Sequence, residues 1–328
     1  MIKCRICGNI EDNKEYIIKE MHFGFEEEFT YFQCKECGCL QIKNIPDNLS
    51  KYYPSNYYSF NPANLEKRGI ISFVKTIFKL IRNSYAIFNH GLVGKIIYSF
   101  YPYEALRSLS RVRLNKNSKI LDVGCGTGKL LLELRDLGFT HLVGIDPYIE
   151  KDIEYKNGVK ILKKTIQEFS ESENGKYDLI MFHHSFEHIQ EPFETLEACK
   201  RLLNPDGIVL IRTPVADSWA WGNYRENWVQ IDAPRHIFIY SRKSMEILAP
   251  KIGFKIKEII YDSTEFQFWG SEQYKRGIPL VSDISYAVNR KKSIFSKKQI
   301  RVFKKLAREF NLKGIGDQAV FYLIKLRD

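Results

Sequence analysis

The stretch K-I-L-D-V-G-C-G-T-G-K-L-L-L-E-L, residues 119–134, decides the fold of this chain. Its first residues predict a β-strand that ends at Asp122, and a helical run begins at Lys129. Three glycines at every second position separate the strand from the helix: Gly124, Gly126 and Gly128. Glycines allow the backbone to turn sharply, and they leave room for a ligand against the main chain. The stretch therefore predicts a ligand-binding turn at the carboxyl end of a strand.

A second acidic residue follows at the end of the next predicted strand. The segment H-L-V-G-I-D-P-Y, residues 141–148, places Asp146 18 residues after Gly128. A carboxylate at this position can accept hydrogen bonds from both hydroxyl groups of a ribose, as in dinucleotide-binding folds. Lys129 stands where the third glycine of G-x-G-x-x-G would fall, which disfavours a nicotinamide site. A tight turn without a ligand is the other alternative.

With Asp122 included, the pattern reads D-x-G-x-G-x-G and resembles motif I of the class I S-adenosylmethionine-dependent methyltransferases. The resemblance covers about residues 107–328, where strand candidates alternate with helical segments. The candidates are KILDVG, HLVGID, VKILKK, YDLIMFH, GIVLIRTP, FKIKEIIY and AVFYLIKL. We therefore expect an α/β fold: a Rossmann-like, seven-stranded, mostly parallel sheet with helices on both faces.

The resemblance also implies a role for each residue of the turn and of the following strands. S-adenosylmethionine would lie against residues 124–128, with its amino group on Asp122 and its ribose on Asp146. The segment after the third strand falls where family members contact adenine. The residues expected to bind the cofactor are Asp122, Gly124, Cys125, Gly126, Thr127, Gly128, Asp146, Pro147, Ile166, Gln167 and His184.

Two C-x-x-C-G motifs lie near the N-terminus, C-R-I-C-G at residues 4–8 and C-K-E-C-G at residues 34–38. This pattern is typical of one tetrahedral zinc site, with the ligands Cys4, Cys7, Cys34 and Cys37. Cys39 is a spare thiol that can replace Cys37 as a ligand. The segment between the motifs alternates like a short hairpin, and a domain of about 45 residues has too small a core to fold alone. We therefore expect structural Zn²⁺ in a small N-terminal zinc-knuckle domain.

Composition limits the class of protein. The chain has 328 residues and a formal net charge of +11, and ten Lys or Arg residues lie between Arg290 and Lys313. No run approaches the roughly 20 apolar residues of a membrane span, and the start M-I-K-C-R-I-C-G-N-I has no apolar signal core. We therefore expect a cytoplasmic protein without a transmembrane segment. Residues 70–109 have a helical pattern. The pattern fits a helix in the core or between domains, which we favour, or a helix on a membrane surface.

Candidates for the chemical step follow the fourth predicted strand. His184, Glu187 and His188 share a helical face by i, i+3 and i+4 spacing. An E-H pair here resembles small-molecule methyltransferases, so we assign Glu187 and His188 to catalysis. In some quinone and polyphenol relatives, acids and a histidine bind a divalent ion at this position. In this chain His184 stands in place of one acid, so the sequence does not decide whether a divalent ion binds here. A zinc-protease reading of H-x-x-E-H is rejected because no third ligand is evident.

An aromatic segment, residues 215–241, follows the fifth predicted strand and contains D-A-P-R-H. That pentapeptide resembles a signature of methyltransferases found with bacterial surface-glycan and sugar-modifying enzymes. Neutral imidazole can take a hydroxyl proton near pH 7, so His236 is the predicted general base. Tyr53, in a tyrosine-rich linker, is also assigned to catalysis. The predicted substrate-binding residues are Tyr57, Tyr58, Trp219, Trp221, Asp232 and Arg235.

We expect three regions: a Cys4 zinc-binding domain (1–45), a tyrosine-rich linker with helices (46–110) and a class I methyltransferase domain (111–328) with insertions at about 214–240 and 265–313. The expected reaction is S-adenosylmethionine-dependent methyl transfer to a small acceptor, a hydroxyl or carbon of a nucleotide-linked or glycan sugar. An RNA or protein methyltransferase that uses the zinc module and the basic segment for recognition is one alternative. A non-catalytic S-adenosylmethionine-binding module is another. The acceptor, the methylated atom and the oligomeric state stay open.

Overall fold

The computed structural model describes residues 2–53 and 70–326. The described strands are β1 (Lys14–Lys19), β2 (Glu28–Gln33), β3 (Leu40–Ile42), β4 (Lys119–Val123), β5 (His141–Ile145), β6 (Ile153–Glu154), β7 (Lys160–Leu162), β8 (Tyr177–His183), β9 (Leu203–Pro214), β10 (Phe238–Ile239), β11 (Phe254–Tyr261) and β12 (Gln318–Lys325). The described α-helices are α1 (Ile70–Phe88), α2 (Leu92–Phe100), α3 (Glu104–Ser108), α4 (Lys129–Asp136), α5 (Ile166–Ser172), α6 (Pro192–Leu202), α7 (Trp219–Tyr224), α8 (Arg242–Lys251), α9 (Phe266–Tyr274) and α10 (Lys297–Leu312).

The larger of two sheets has eight strands in the order β11-β12-β9-β8-β4-β5-β7-β6. The strands from β9 to β7 are parallel, whereas β12, β11 and β6 each run antiparallel to a neighbour. This is the Rossmann-like fold expected from the sequence, and all seven predicted strands are present. The additional strand, β6, has only two residues, which is too short for a hydrophobic period to reveal it.

Helices cover both faces of this sheet because successive residues of its central strands point to opposite sides. Ile120 of β4 packs in one buried cluster with Leu130 of α4. The next residue, Leu121, packs in a second cluster with Phe182 of β8 and Leu196 of α6. The carboxyl ends of β4, β5, β8 and β9 form the edge at which ligands bind in such sheets.

The smaller, antiparallel sheet has the order β1-β2-β3-β10. The predicted hairpin between the two cysteine motifs is the β1-β2 pair. Its fourth strand comes from far along the chain, because Phe238 pairs with Gln41 and Ile239 pairs with Leu40. The segment that ends in His236 therefore leads directly into the sheet of the N-terminal module.

The predicted helical region, residues 70–109, forms α1, α2 and α3. The inner side of α1 packs on the sheet, where Ala86 and Ile87 join the cluster that contains Ile120. In the described part of the chain, no helix has both the length and the apolar composition that crossing a membrane would require.

Candidate active site

The glycine-rich turn after β4 needs glycine for its backbone conformation and for its packing. Gly124, Gly126 and Gly128 all have positive φ, at 72°, 55° and 76°, which side chains disfavour. A side chain at Gly124 would overlap Ser185, and one at Gly128 would overlap Ile161. The turn therefore carries no side chains at these positions next to the start of α4, as a nucleotide-binding turn requires.

Asp146 holds this turn in place. Its Oδ2 accepts a hydrogen bond from the Gly126 amide at 2.8 Å, and its Oδ1 accepts one from the Tyr148 amide at 2.9 Å. Burial raises the pKa of the Asp146 carboxyl, although these two amides lower it in part. Burial and the nearby Asp146 raise the pKa of Asp122 to about 8. The two buried carboxyl groups are therefore suited to a positively charged ligand.

A cavity of about 810 Å³ opens beside the turn. Its wall contains every predicted cofactor residue except Gly128, namely Asp122, Gly124, Cys125, Gly126, Thr127, Asp146, Pro147, Ile166, Gln167 and His184. Tyr53 and His188, which were assigned to catalysis, lie in the same wall. The structure thus brings the predicted cofactor residues and two of the predicted catalytic residues to one cavity.

His188 is held by the main chain of the aromatic segment. Its Nδ1 lies 2.8 Å from the Arg235 carbonyl oxygen, and the Tyr53 hydroxyl lies 3.1 Å from the same nitrogen. Because a carbonyl oxygen only accepts hydrogen bonds, Nδ1 carries the proton, and Nε2 keeps a lone pair. His188 can therefore accept a proton at Nε2.

His236 lies behind His188 and is not part of the described cavity wall. The two rings contact edge to face, with their centroids 4.7 Å apart. Nδ1 of His236 donates to the Gln230 carbonyl at 2.8 Å, and Nε2 lies 3.9 Å from Oε1 of Glu187. Burial and the neighbouring His188 lower the pKa of His236 to about 4, so this imidazole is neutral at pH 7.

Glu187 is fully buried beneath the same wall. Burial raises the pKa of this carboxyl, whereas the contact with His184 and any positive charge on His184, His236 or His188 lower it. Neither carboxylate oxygen has a hydrogen-bond partner among the described residues, although Nδ1 of His184 lies 3.3 Å from Oε1. Glu187 is therefore a buried carboxyl group surrounded by three imidazoles.

The predicted substrate residues of the aromatic segment lie away from the described cavity wall. Trp221 is buried and donates from Nε1 to Oε1 of Gln33 at 3.1 Å. Trp219 packs on Phe310, with ring centroids 5.0 Å apart. Two further predicted substrate residues, Tyr57 and Tyr58, lie outside the described residues.

Asp232 and Arg235, also predicted to contact substrate, form a buried ion pair. Nε of Arg235 donates to Oδ2 of Asp232 at 2.9 Å, and Nη2 lies 3.4 Å from Oε1 of Glu20. Nη1 of Arg235 donates to the Tyr52 carbonyl at 3.1 Å. These contacts join the aromatic segment to the N-terminal module and to the residue before Tyr53.

Tyr148 and Arg212 are among the cavity residues to which the sequence assigned no role. Tyr148 stacks on Tyr53 with ring centroids 5.6 Å apart, and its position directly after Asp-Pro was the available signal. Arg212 lies within the predicted strand GIVLIRTP, and its position there indicates only a strand residue. It donates from Nε to Asp262 at 2.6 Å, and its Nη1 lies 2.6 Å from Nε2 of His184.

The four predicted zinc ligands come together at the other side of the small sheet. The Sγ atoms of Cys4 and Cys37 are 3.6 Å apart, and those of Cys7 and Cys34 are 3.5 Å apart. Sulfurs around a tetrahedral zinc ion with bonds of about 2.3 Å are separated by about 3.8 Å. Cys39 is not in this group among the described residues, so Cys37 is the fourth thiol of the cluster.

Residues 98–259 match the sequence model of a family described as a methyltransferase domain. A ubiquinone biosynthesis O-methyltransferase of Actinobacillus pleuropneumoniae is 35% identical over 107 residues, which is 29% of this chain and 45% of that protein. The same-named protein of Escherichia coli is 29% identical over 110 residues, which is 31% of this chain and 45% of that protein. The chain thus spans less than half the length of the curated relatives it matches.

Solved structures of similar fold are known. An S-adenosylmethionine-dependent methyltransferase from Archaeoglobus fulgidus has a TM-score of 0.42 and 18% identity, over 72% of this chain and all of that one. A cyclopropane synthase from Mycobacterium tuberculosis has a TM-score of 0.42 and 15% identity, over 80% of this chain and all of that one. The family match includes the glycine-rich turn, and together they indicate a methyltransferase domain over residues 98–259.

Proposed function

We propose that the chain transfers the methyl group of S-adenosylmethionine to a hydroxyl group of a small acceptor. The observation that carries this proposal is that one cavity of about 810 Å³ has both the glycine-rich turn and His188 in its wall. Methyl transfer requires the acceptor, the methyl carbon and the sulfur to be held in line and away from water. A shared cavity provides that proximity.

In the proposed complex, the sulfonium nucleotide lies against the turn between β4 and α4. Asp122 receives its ammonium group, and Asp146 receives the ribose hydroxyls. Ile166 and Gln167, at the start of α5, contact the adenine. A cationic ammonium group beside Asp122 favours the ionised carboxylate, which offsets the cost of burying that charge.

His188 is the proposed general base. The acceptor oxygen attacks the methyl carbon, the carbon–sulfur bond breaks, and S-adenosylhomocysteine leaves as a neutral thioether. The hydroxyl proton goes to Nε2 of His188, since Nδ1 is already occupied by the Arg235 carbonyl. Glu187 and His236, which the sequence analysis also assigned to catalysis, position His188 from behind and favour the imidazolium that it becomes.

The names of the matched relatives favour a phenolic hydroxyl as the acceptor, because they are ubiquinone biosynthesis O-methyltransferases. The sugar acceptor expected from the sequence stays as the second candidate. The stacked pair Tyr53 and Tyr148 supports it, since flat aromatic faces also bind sugar rings. We further propose that Zn²⁺ binds the four-thiol cluster and has a structural role.

The test measures S-adenosylhomocysteine release with a vicinal dihydroxyphenol, a panel of nucleotide sugars and a short RNA. We expect turnover with the phenol or a sugar. His188→Ala should lower kcat about a hundredfold or more without changing the affinity for S-adenosylmethionine. Tyr53→Phe should lower kcat by a smaller factor, also without changing that affinity. Asp146→Ala should instead weaken cofactor binding about tenfold or more.

His141→Ala is the matched control, because His141 is exposed at the start of β5, at the opposite edge of the sheet. It should leave both kcat and cofactor affinity unchanged. Calorimetry that detects neither S-adenosylmethionine nor S-adenosylhomocysteine binding would refute the proposed function. Equal losses of kcat and cofactor affinity in His188→Ala would refute only the base assignment.

A further inference from the structure

Helices α1 and α2 expose large apolar side chains on their outer side. Leu92 is 80% exposed, Phe100 is 75% exposed and Phe78 is 53% exposed. We call the whole set the apolar face; it consists of Val74, Ile77, Phe78, Ile81, Leu92, Val93, Ile96, Phe100 and Tyr101. Single exposed apolar residues are ordinary on a protein surface, but a contiguous group marks an interaction site.

The apolar face is contiguous because its members share one side of each helix. Val74, Ile77, Phe78 and Ile81 follow i, i+3, i+4 and i+7 spacing along α1. On α2, Leu92, Ile96 and Phe100 are each about one turn apart, and Val93 and Tyr101 extend the same side. The face therefore covers two adjacent helices.

The two helices are held rigidly with this face outward. Gly94 of α2 lies against α1 so closely that a side chain there would overlap Tyr85 and the Ile81 carbonyl. On its inner side, α1 buries Asn83, whose Nδ2 donates to Oε2 of Glu133 at 3.0 Å. Turning the apolar residues inward would break these contacts, so the face is a fixed feature of the surface.

The charged residues of α1, α2 and the turn between them are all cationic. Residues 70–103 contain no Asp or Glu, but they contain Lys75, Lys79, Arg82 and Lys95. Lys75 and Lys95 are exposed, one on each helix, whereas Lys79 lies 3.1 Å from Glu133. Exposed apolar residues together with exposed cations are typical of helices that lie in the plane of a membrane surface with anionic lipids.

We propose that the apolar face docks on an anionic lipid surface, with Leu92, Phe100 and Phe78 inserted among the acyl chains and Lys75 and Lys95 at the lipid phosphates. A second copy of the chain is a poorer occupant. A two-fold contact would place the same cationic surface on both sides of the interface, and no acidic residue of 70–103 would compensate it.

Docking would also place the cavity close to the lipid surface. Tyr103, three residues after the end of α2, and Ala105 of α3 lie in the cavity wall. An acceptor with an apolar tail can therefore reach the cavity from the membrane without crossing bulk water. This consequence rests on the proposed function, but the docking itself does not.

The test is co-sedimentation of the full, metal-loaded chain with vesicles of phosphatidylcholine, alone or mixed equally with phosphatidylglycerol. We expect binding to the mixed vesicles, weakened by high salt, and little binding to phosphatidylcholine alone. The double variant Leu92→Glu, Phe100→Glu should lose this binding. The double variant Lys75→Ala, Lys95→Ala should weaken it about thirtyfold.

Leu312→Glu is the matched control, because Leu312 is 90% exposed on α10, on the other side of the sheet. It should bind vesicles like the unaltered chain, and all variants should keep the melting temperature and the affinity for S-adenosylhomocysteine. Equal vesicle binding by Leu92→Glu, Phe100→Glu and by the control would overturn the proposal. A dimer in solution that this double variant dissociates, without vesicle binding by the unaltered chain, would overturn it in favour of a second copy.

Discussion

Two buried carboxyl groups define the cofactor end of the cavity, and they differ in what holds them. Asp146 has two backbone amides as partners. Burial and the charge of Asp146 raise the pKa of Asp122 to about 8. Asp122 therefore keeps its proton at neutral pH until a cation arrives. A cationic ligand would favour the ionised form of Asp122.

Asp122→Asn should stabilise the empty protein at alkaline pH. The carboxyl has a pKa of 3.8 in the unfolded chain and about 8 in the folded one, so the folded state binds the proton more tightly. Its contribution to stability is complete below about pH 4 and is lost as the pH rises towards about 8. The variant lacks this loss, and its melting temperature should exceed that of the unaltered chain by about 3 °C or more at pH 8.

Below about pH 4 the two melting temperatures should agree. The same variant should bind S-adenosylmethionine about tenfold more weakly, since it cannot supply a charge to the ammonium group. A melting temperature difference that does not depend on pH would show that Asp122 is ionised throughout.

The residues of the glycine-rich turn were predictable because their constraints are local. Positive φ at Gly124 and a carboxylate after the next strand follow from the covalent sequence and one strand pairing. The order of the histidines was not predictable. Whether His188 or His236 borders the cavity depends on how the aromatic segment packs against the N-terminal module. That packing involves residues far apart in sequence: the Tyr31 hydroxyl donates to the carbonyl of His236, 205 residues later, at 2.8 Å.

At the scale of elements, the small sheet links the four-thiol cluster to the wall of the cavity. Its last strand, β10, begins two residues after His236. The hydroxyl of Ser241, which caps α8, donates to the Cys37 carbonyl, and Nζ of Lys251 at the end of α8 donates to the Ile6 carbonyl at 3.0 Å. The sequence around Ser241 has a local capping pattern that indicates the start of a helix. It did not predict this second use of the same side chain.

Cys37→Ser should release zinc, whereas Cys39→Ser should retain it. Cys37 is one of the four clustered thiols, and Cys39 is a buried thiol outside that group. Loss of the ion should lower the melting temperature by more than about 5 °C. It should also reduce kcat more than cofactor affinity, because the module supports the histidine side of the cavity.

Zinc content measured with a colorimetric chelator, together with thermal melts before and after adding zinc, checks this prediction. Equal zinc content in the two variants would contradict the assignment of ligands. Zinc loss without any change in melting temperature would contradict the structural role.

At the scale of the whole molecule, the N-terminal module and the methyltransferase domain share one core. Ile6, Tyr31 and Leu40 belong to the same buried cluster as Phe182 and Phe254 of the large sheet. The Arg235 ion pair crosses the same boundary, with its guanidinium between Asp232 and Glu20. The predicted boundary near residue 45 therefore lies within a continuous apolar contact, and sequence spacing alone could not reveal that.

The metal-loaded chain should unfold in one cooperative transition. A shared core and a buried ion pair couple the two parts, so neither can unfold while the other stays intact. Differential scanning calorimetry should give a single peak whose calorimetric and van't Hoff enthalpies agree. Two separate peaks, or one spectroscopic probe that melts earlier than another, would contradict this coupling.

Phe238 and Ile239 have a consequence for attempts to recombine this protein with its relatives. Since these two residues complete a sheet whose other strands were encoded almost 200 positions earlier, the cysteine-rich segment is not an exchangeable cassette. A chimera that imports residues 1–45 from another chain must import the matching stretch around residue 238 as well. Otherwise the side chains of the transplanted strands do not match those of β10, and the neighbouring histidines lose the packing that positions them.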